Sequence, residues 1–177
     1  PETGTTIQNV IFTPDDRTNY SEVTIPLNVT VNQALISSGF SHTLYLGAGD
    51  STVTAWGLNT DGRLGVGDMN SPVNWAKAVQ GIPLGYTVTG VSAGGTHSLI
   101  LAGGQVYAAG SDRYGQLGQG AVNGANKTSF TPVAILSNTP VAVSAGGNHS
   151  LIVMADGKVF ACGDNTYGQL AQPAATA

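Results

Sequence analysis

One stretch of this chain is written three times. VSAGGTHSLILAGGQVYAAGSDRYGQLGQG starts at Val91 and returns from Val143 as VSAGGNHSLIVMADGKVFACGDNTYGQLAQ. A more diverged copy, ISSGFSHTLYLGAGDSTVTAWGLNTDGRLGVG, starts at Ile36. The matched histidines are His42, His97 and His149, stepping by 55 and then 52 residues; the matched glycines Gly57, Gly110 and Gly163 are 53 apart both times. The leucines Leu64, Leu117 and Leu170 keep the same step. A period near fifty belongs to propeller blades or similar arrays, because a unit of that length holds one small sheet that must bury its face on the next.

Each copy parses into short strands. In the third, residues 143–145 precede a Gly-Gly turn, 150–154 alternate as a second strand, and 159–162 form a third ended by Gly163. The Asp156-Gly157 pair turns the hairpin between them, as Gly103-Gly104 does in the second copy, since glycine adopts positive φ at no steric cost. The first copy uses the longer connection 47–52. Fourth strands are expected around 75–79 and 132–135. Four antiparallel strands per unit make a propeller blade. The expected fold is therefore all-β, a partial β-propeller of three four-stranded blades at about 34–80, 88–136 and 141–172. Residues 1–21 read as an extended arm that anchors or flexes, and 173–177 as a tail. The third copy stops before a fourth strand, while residues 23–27 precede the first copy at the spacing of a fourth strand. Val23, Ile25 and Leu27 are thus candidates for strand exchange, completing the third blade of another copy.

Composition agrees with an all-β reading and narrows the function. Hydrophobic residues make up 41% and charged residues 9%, against roughly 25% charged in an ordinary soluble domain. The net charge is −4, and the basic residues Arg17, Arg63, Lys77, Arg113, Lys127 and Lys158 are scattered. Binding to nucleic acid or to anionic membrane surfaces needs clustered Lys and Arg, so neither is expected as a partner. Cys162 is the single cysteine, which excludes an internal disulfide and reads as a small buried hydrophobe. The opening PETGTTIQNV lacks the charged-then-apolar layout of a signal peptide.

The order S-A-G-G-x-H-S-L-I, a D-G or G-G hairpin, V-[YF]-A-x-G and then Y-G-Q-L resembles the repeat of the regulator of chromosome condensation family. The resemblance runs from about Ala34 to Gln172. It implies a β-propeller, usually of seven blades, and a range of family functions: nucleotide exchange on a small GTPase, chromatin binding, ultraviolet-B sensing or protein docking. Chromatin binding is disfavoured by charge. The photoreceptor branch uses clustered tryptophans, and this chain has only Trp56 and Trp75. Nucleotide exchange is disfavoured by three repeats where the family ring has more.

Repetition also weakens each catalytic reading. A histidine at one equivalent position per blade is spread around the array, which suits a bond to the backbone of its own or the next blade better than a metal site. No H-x-x-x-H or C-x-x-C pair supports zinc. Ser98 and Ser150 follow histidines directly, but neighbouring strand residues point to opposite faces, so the dipeptide makes no nucleophile–base pair. Asn59, Asp112 and Asn165 match across copies and suit turn capping. Tyr114 and Tyr167 align with Asp61 and are expected to pack blade interfaces. No cofactor, metal or catalytic residue is expected, and the chain is read as non-enzymatic.

Three blades leave apolar faces over, so the chain is expected to associate with itself or with other structural proteins, two chains giving a six-bladed ring. A Thr/Asn/Gly-rich, charge-poor chain with an arm reads first as a component of a larger assembly such as a phage virion: a decoration, fibre or tail protein. The alternative is an intracellular docking or regulatory propeller module of the regulator of chromosome condensation type.

Overall fold

A computed structural model describes residues 4–12, 23–31, 34–120, 124–134 and 138–171. The chain divides into two units, 1–33 and 34–177.

The first unit is a two-stranded antiparallel ribbon of β1 (Gly4–Phe12) and β2 (Val23–Val31). The register is continuous over nine pairs, from Gly4 with Val31 to Phe12 with Val23. Residues 23–27 were expected as an orphan strand. They are a strand, but one already paired, with Val23, Ile25 and Leu27 opposite Phe12, Val10 and Gln8. The arm alternates β-branched and polar residues as TTIQNVIF, which gives β2 a local partner for one edge of its backbone.

The second unit holds the blades. The first is β3 (Leu35–Ser38), β4 (His42–Leu46), β5 (Thr54–Gly57) and β6 (Val73–Ala78), in that order across the sheet. The second is β7 (Val88–Ala93), β8 (His97–Ala102), β9 (Gln105–Gly110) and β10 (Lys127–Pro132). The third has three strands among the described residues: β11 (Pro140–Ala145), β12 (His149–Met154) and β13 (Val159–Gly163). All neighbours run antiparallel.

Two expectations shift in detail. The fourth strand of the second blade lies at Lys127–Pro132, ahead of the expected 132–135. Pro132 has no N–H to continue a ladder, so it closes the strand rather than opening it. Ile135 lies outside the described residues. The third hairpin is wider than a two-residue turn: the Gly157 N–H donates to Met154 O, and the Asp156 carboxylate takes the Lys158 N–H and ammonium.

Two cores fill the spaces between blades. Between the first and second lie Leu44, Leu46, Val53, Ala55 and Leu64 against Ile100, Ala102, Tyr107 and Phe130. Between the second and third lie Leu99, Leu101, Val106, Ala108 and Leu117 against Ile152 and Met154. The middle blade is thus covered on both sides, and every residue of β8 is buried. Burying each Leu or Ile contributes roughly 1.5–3 kcal/mol, so the sheets are held by stacking rather than by their own hydrogen bonds.

Candidate functional site

The repeated histidines point from one blade into the next. His42 Nε2 lies 2.7 Å from Ser98 Oγ, and His97 Nε2 lies 2.8 Å from Ser150 Oγ. Each serine in turn donates to a carbonyl of the preceding blade: Ser98 to Arg63 O and Ser150 to Gln116 O, both at 2.7 Å. A hydroxyl has one proton to give. Since each serine spends it on a carbonyl, the facing Nε2 carries a hydrogen and donates.

The same feature explains the glycine period. His42 stands opposite Gly57, His97 opposite Gly110 and His149 opposite Gly163 in the sheet registers. Gly110 has φ +113°, and a Cβ there would meet Thr96 O at 2.5 Å and His97 Cα at 2.7 Å. The close approach lets the next amide turn back, Ser111 N donating to Thr96 O at 3.0 Å. Each repeat is therefore marked by a histidine–glycine pair across neighbouring strands that fixes where the third strand leaves the sheet.

The turns that follow are built alike. Asn59, Asp112 and Asn165 each accept, through Oδ1, the N–H of the residue five ahead: Leu64 at 3.1 Å, Leu117 at 3.0 Å and Leu170 at 3.0 Å. Leu64 and Leu117 are fully buried, while Leu170 is half-buried. Gln116 and Gln169 take the N–H of Tyr114 and Tyr167. Arg63 occupies their place in the first blade, donating to Gly95 O at 2.7 Å and pairing with Asp61.

Chemically the ladder is inert. Burial, and secondarily the Arg63 charge, lowers the pKa of His42 to about 4. Burial first, then His42, His149 and Arg63, lowers that of His97 to about 3. Both rings are neutral near pH 7. A base must accept a proton from its nucleophile, and here the facing nitrogen already holds one. Ser98 and Ser150 are also out of reach of any substrate, at 0% and 1% exposure. The sequence suggested backbone partners for the histidines; the structure pairs His42 and His97 with the serine that follows the next blade's histidine. The recurrence of His-Ser at 97–98 and 149–150 was the signal, and pairing across copies rather than within the dipeptide was the step missed.

Cys162 is half-buried and its thiol is pushed up to about 11, chiefly by burial and then by the Asp112 charge. Its Sγ lies 3.6 Å from Gln116 O. Among the described residues no group of three or more His, Cys, Asp or Glu side chains could hold a metal ion. Tyr114, expected to pack between blades, is 40% exposed, and Tyr167 is 91% exposed on the third blade, which no further blade covers among the described residues. Each sits at the tip of a turn whose polar groups are bonded inward, which leaves the ring to project.

Comparison with known proteins rests on these same segments. The regulator of chromosome condensation (RCC1) repeat matches residues 88–116 and 141–169, and a second description of that repeat matches 103–153. The chain belongs to this family. Human probable E3 ubiquitin-protein ligase HERC6 is 37% identical over 151 residues, 76% of this chain and 13% of that protein. The Arabidopsis thaliana ultraviolet-B receptor UVR8 is 32% identical over 157 residues, 84% of this chain and 33% of that protein. Among solved structures, Prp20p of Saccharomyces cerevisiae superposes with a TM-score of 0.65 at 26% identity, over 79% of this chain and 35% of that one. The chain therefore spans a third or less of these curated relatives. RCC1-type blades account for the three sheets, and the relatives favour a regulatory or interaction module over a virion component.

Proposed function

We propose that this chain is a protein-docking segment of an RCC1-type propeller, binding its partner at the side of the blades where the first and third connections open. The observation that carries the reading is a division of labour. The repeated polar side chains His42, His97, Ser98, Ser150, Asn59 and Asp112 are buried, whereas Phe40, Tyr114 and Tyr167 stand out at 83%, 40% and 91% exposure. All three lie in loops of the same side, since the 94–96 connection is tied to the 111–117 turn through Gln116 Nε2 and Thr96 Oγ1. Arg113 lies over the Tyr114 ring at 5.6 Å. Exposed aromatics and arginine supply contact area at little entropic cost and dominate binding hot spots. The solved relative Prp20p is described by its binding to Gsp1p and histones, which supports docking as the kind of activity.

The test compares three proteins: the native chain, a Phe40→Ser/Tyr114→Ser/Tyr167→Ser variant, and a Leu84→Ser/Tyr86→Ser variant altered in another connection. A partner bound by the native chain should be lost by the first variant and kept by the second. Equal binding by the first variant would remove the reading.

A further inference from the structure

Within the blade unit, and among the described residues, the outer blades are each covered on one face, and in opposite phase. In β4 the buried residues are His42, Leu44 and Leu46, while Thr43 and Tyr45 turn away from the core. In β12 the buried residues are Ser150, Ile152 and Met154, while His149, Leu151 and Val153 are half-buried. These last three occupy the positions of His42, Leu44 and Leu46. We propose that the two uncovered faces are the halves of one interface, and that the third blade of one chain takes the first blade of a second copy.

The contact is already built twice inside the molecule, and its rules can be read off. The giving blade supplies a histidine N–H and a turn carbonyl to one hydroxyl, as His42 and Arg63 O do for Ser98. It also offers a serine Oγ to an inner-strand amide: Ala93 N donates to Ser37 Oγ at 3.0 Å, and Ala145 N to Ser92 Oγ at 2.9 Å. One further bond joins the inner loops, Phe40 N to Gly94 O and Gly95 N to Gly146 O.

The third blade carries the full giving set. His149 stands at the position of His42 and His97, the Gln169 carbonyl at that of Arg63 and Gln116, Ser144 at that of Ser37 and Ser92, and the Gly147 amide at that of Phe40 and Gly95. The first blade carries the receiving set: the Thr43 hydroxyl, the Ser38 amide and the Gly39 carbonyl. Thr43 keeps the hydroxyl the contact needs, able to accept from His149 and donate to Gln169 O.

The apolar residues match in the same way. Val159 is 59% exposed, whereas its equivalents Val53 and Val106 are 1% and 0% exposed under a covering blade. Ile36 is 68% exposed on the receiving face, where its equivalents Val91 and Val143 pack against the two cores. Beside it Tyr45 and Trp56 meet edge to face, with centroids 6.4 Å apart. Trp56 replaces Ala109 and Cys162 and adds area of the kind enriched at interfaces. The association runs through sheet faces, head to tail, and leaves β2 with its partner β1.

Head-to-tail contact makes a sharp experiment, because each interface needs one face from each copy. Val159→Arg disables the giving face and Ile36→Arg the receiving face, both at exposed positions. Light scattering of the native chain at micromolar concentration should give a mass of two chains or more. Each variant alone should remain at the mass of one chain, and an equimolar mixture should return to two. Circular dichroism checks folding, with Leu151→Arg and Tyr45→Arg as a second pair. A native chain that stays at one chain's mass would overturn the proposal and leave the faces to a further blade or a foreign protein. Variants that associate alone as the native chain does would overturn it equally.

Discussion

His97 Nε2 and Ser150 Oγ meet at 2.8 Å across two blades, 53 residues apart in the chain. The bond joins the histidine of one repeat to the serine that follows the next repeat's histidine, as His42 and Ser98 do 56 residues apart, so each repeat is tied to its successor. Its geometry makes His42 and His97 structural and their neutrality a condition of full stability.

That condition sets a pH dependence. The folded pKa values of His42 and His97, about 4 and about 3, lie below the ordinary 6.5. The unfolded chain therefore takes up protons first as pH falls. Stability should be full above pH 6.5 and decline below it, continuing to the folded values. The loss at pH 5 should be roughly 2 kcal/mol per histidine. Denaturant titrations between pH 7.5 and 4.5 read this directly, and His97→Gln should flatten the curve.

Removing one receiving hydroxyl should cost more than removing the other. Ser150→Ala leaves the His97 N–H buried without its bond and Gln116 O with only the weak Cys162 thiol, at a cost of about 1–3 kcal/mol. Thr43→Ala changes a half-buried residue on a face with no blade against it among the described residues, and should change monomer stability by less than about 0.5 kcal/mol. Chemical denaturation of both variants gives the comparison.

Gly110→Ala should destabilise by about 2–4 kcal/mol, because φ is +113° and the added methyl meets Thr96 O and His97 Cα. Gly104→Ala, with φ +73° but nothing within 4 Å of a Cβ, should cost about 1 kcal/mol. Thermal unfolding of the pair separates crowding from backbone strain.

Asp112 should be improvable. It is fully buried, its Oδ2 has no partner among the described residues, and burial raises its pKa. The first blade has Asn59 here, whose Nδ2 donates to Asp68 O at 2.9 Å. Asp112→Asn keeps the Oδ1 bond to the Leu117 amide and removes a buried charge. It should raise stability at pH 7 by about 1 kcal/mol, with the gain shrinking as pH falls and the native carboxyl becomes neutral.

The fold was legible because three features recur in the same order at steps of 52 to 55 residues. Histidine, glycine and leucine recur together, so the second, third and turn segments of each blade could be placed from letters alone. The fourth strands were harder, since Lys127–Pro132 has little alternation and the proline marks an end that resembles a start. The pairing of residues 23–27 with the arm lay outside the repeat and had no second copy to compare with. At the site, sequence gave the residues but not their partners: a bond from His42 to Ser98 depends on how sheets stack, which no single repeat contains. The exposure of Tyr114 was missed because aromatic rings in a repeat suggest packing, and that of Tyr167 follows from its place on the last described blade.

The one-way direction of hydrogen-bond donation, from ring to hydroxyl to carbonyl, carries an evolutionary corollary. An array with such polarity can gain or lose blades only as whole units, because half a blade would leave a donor or an acceptor at the seam without its partner, whereas connections between strands vary in length. Gene rearrangements in chains of this kind are then tolerated in quanta of one repeat, and a reversed unit would never be accepted.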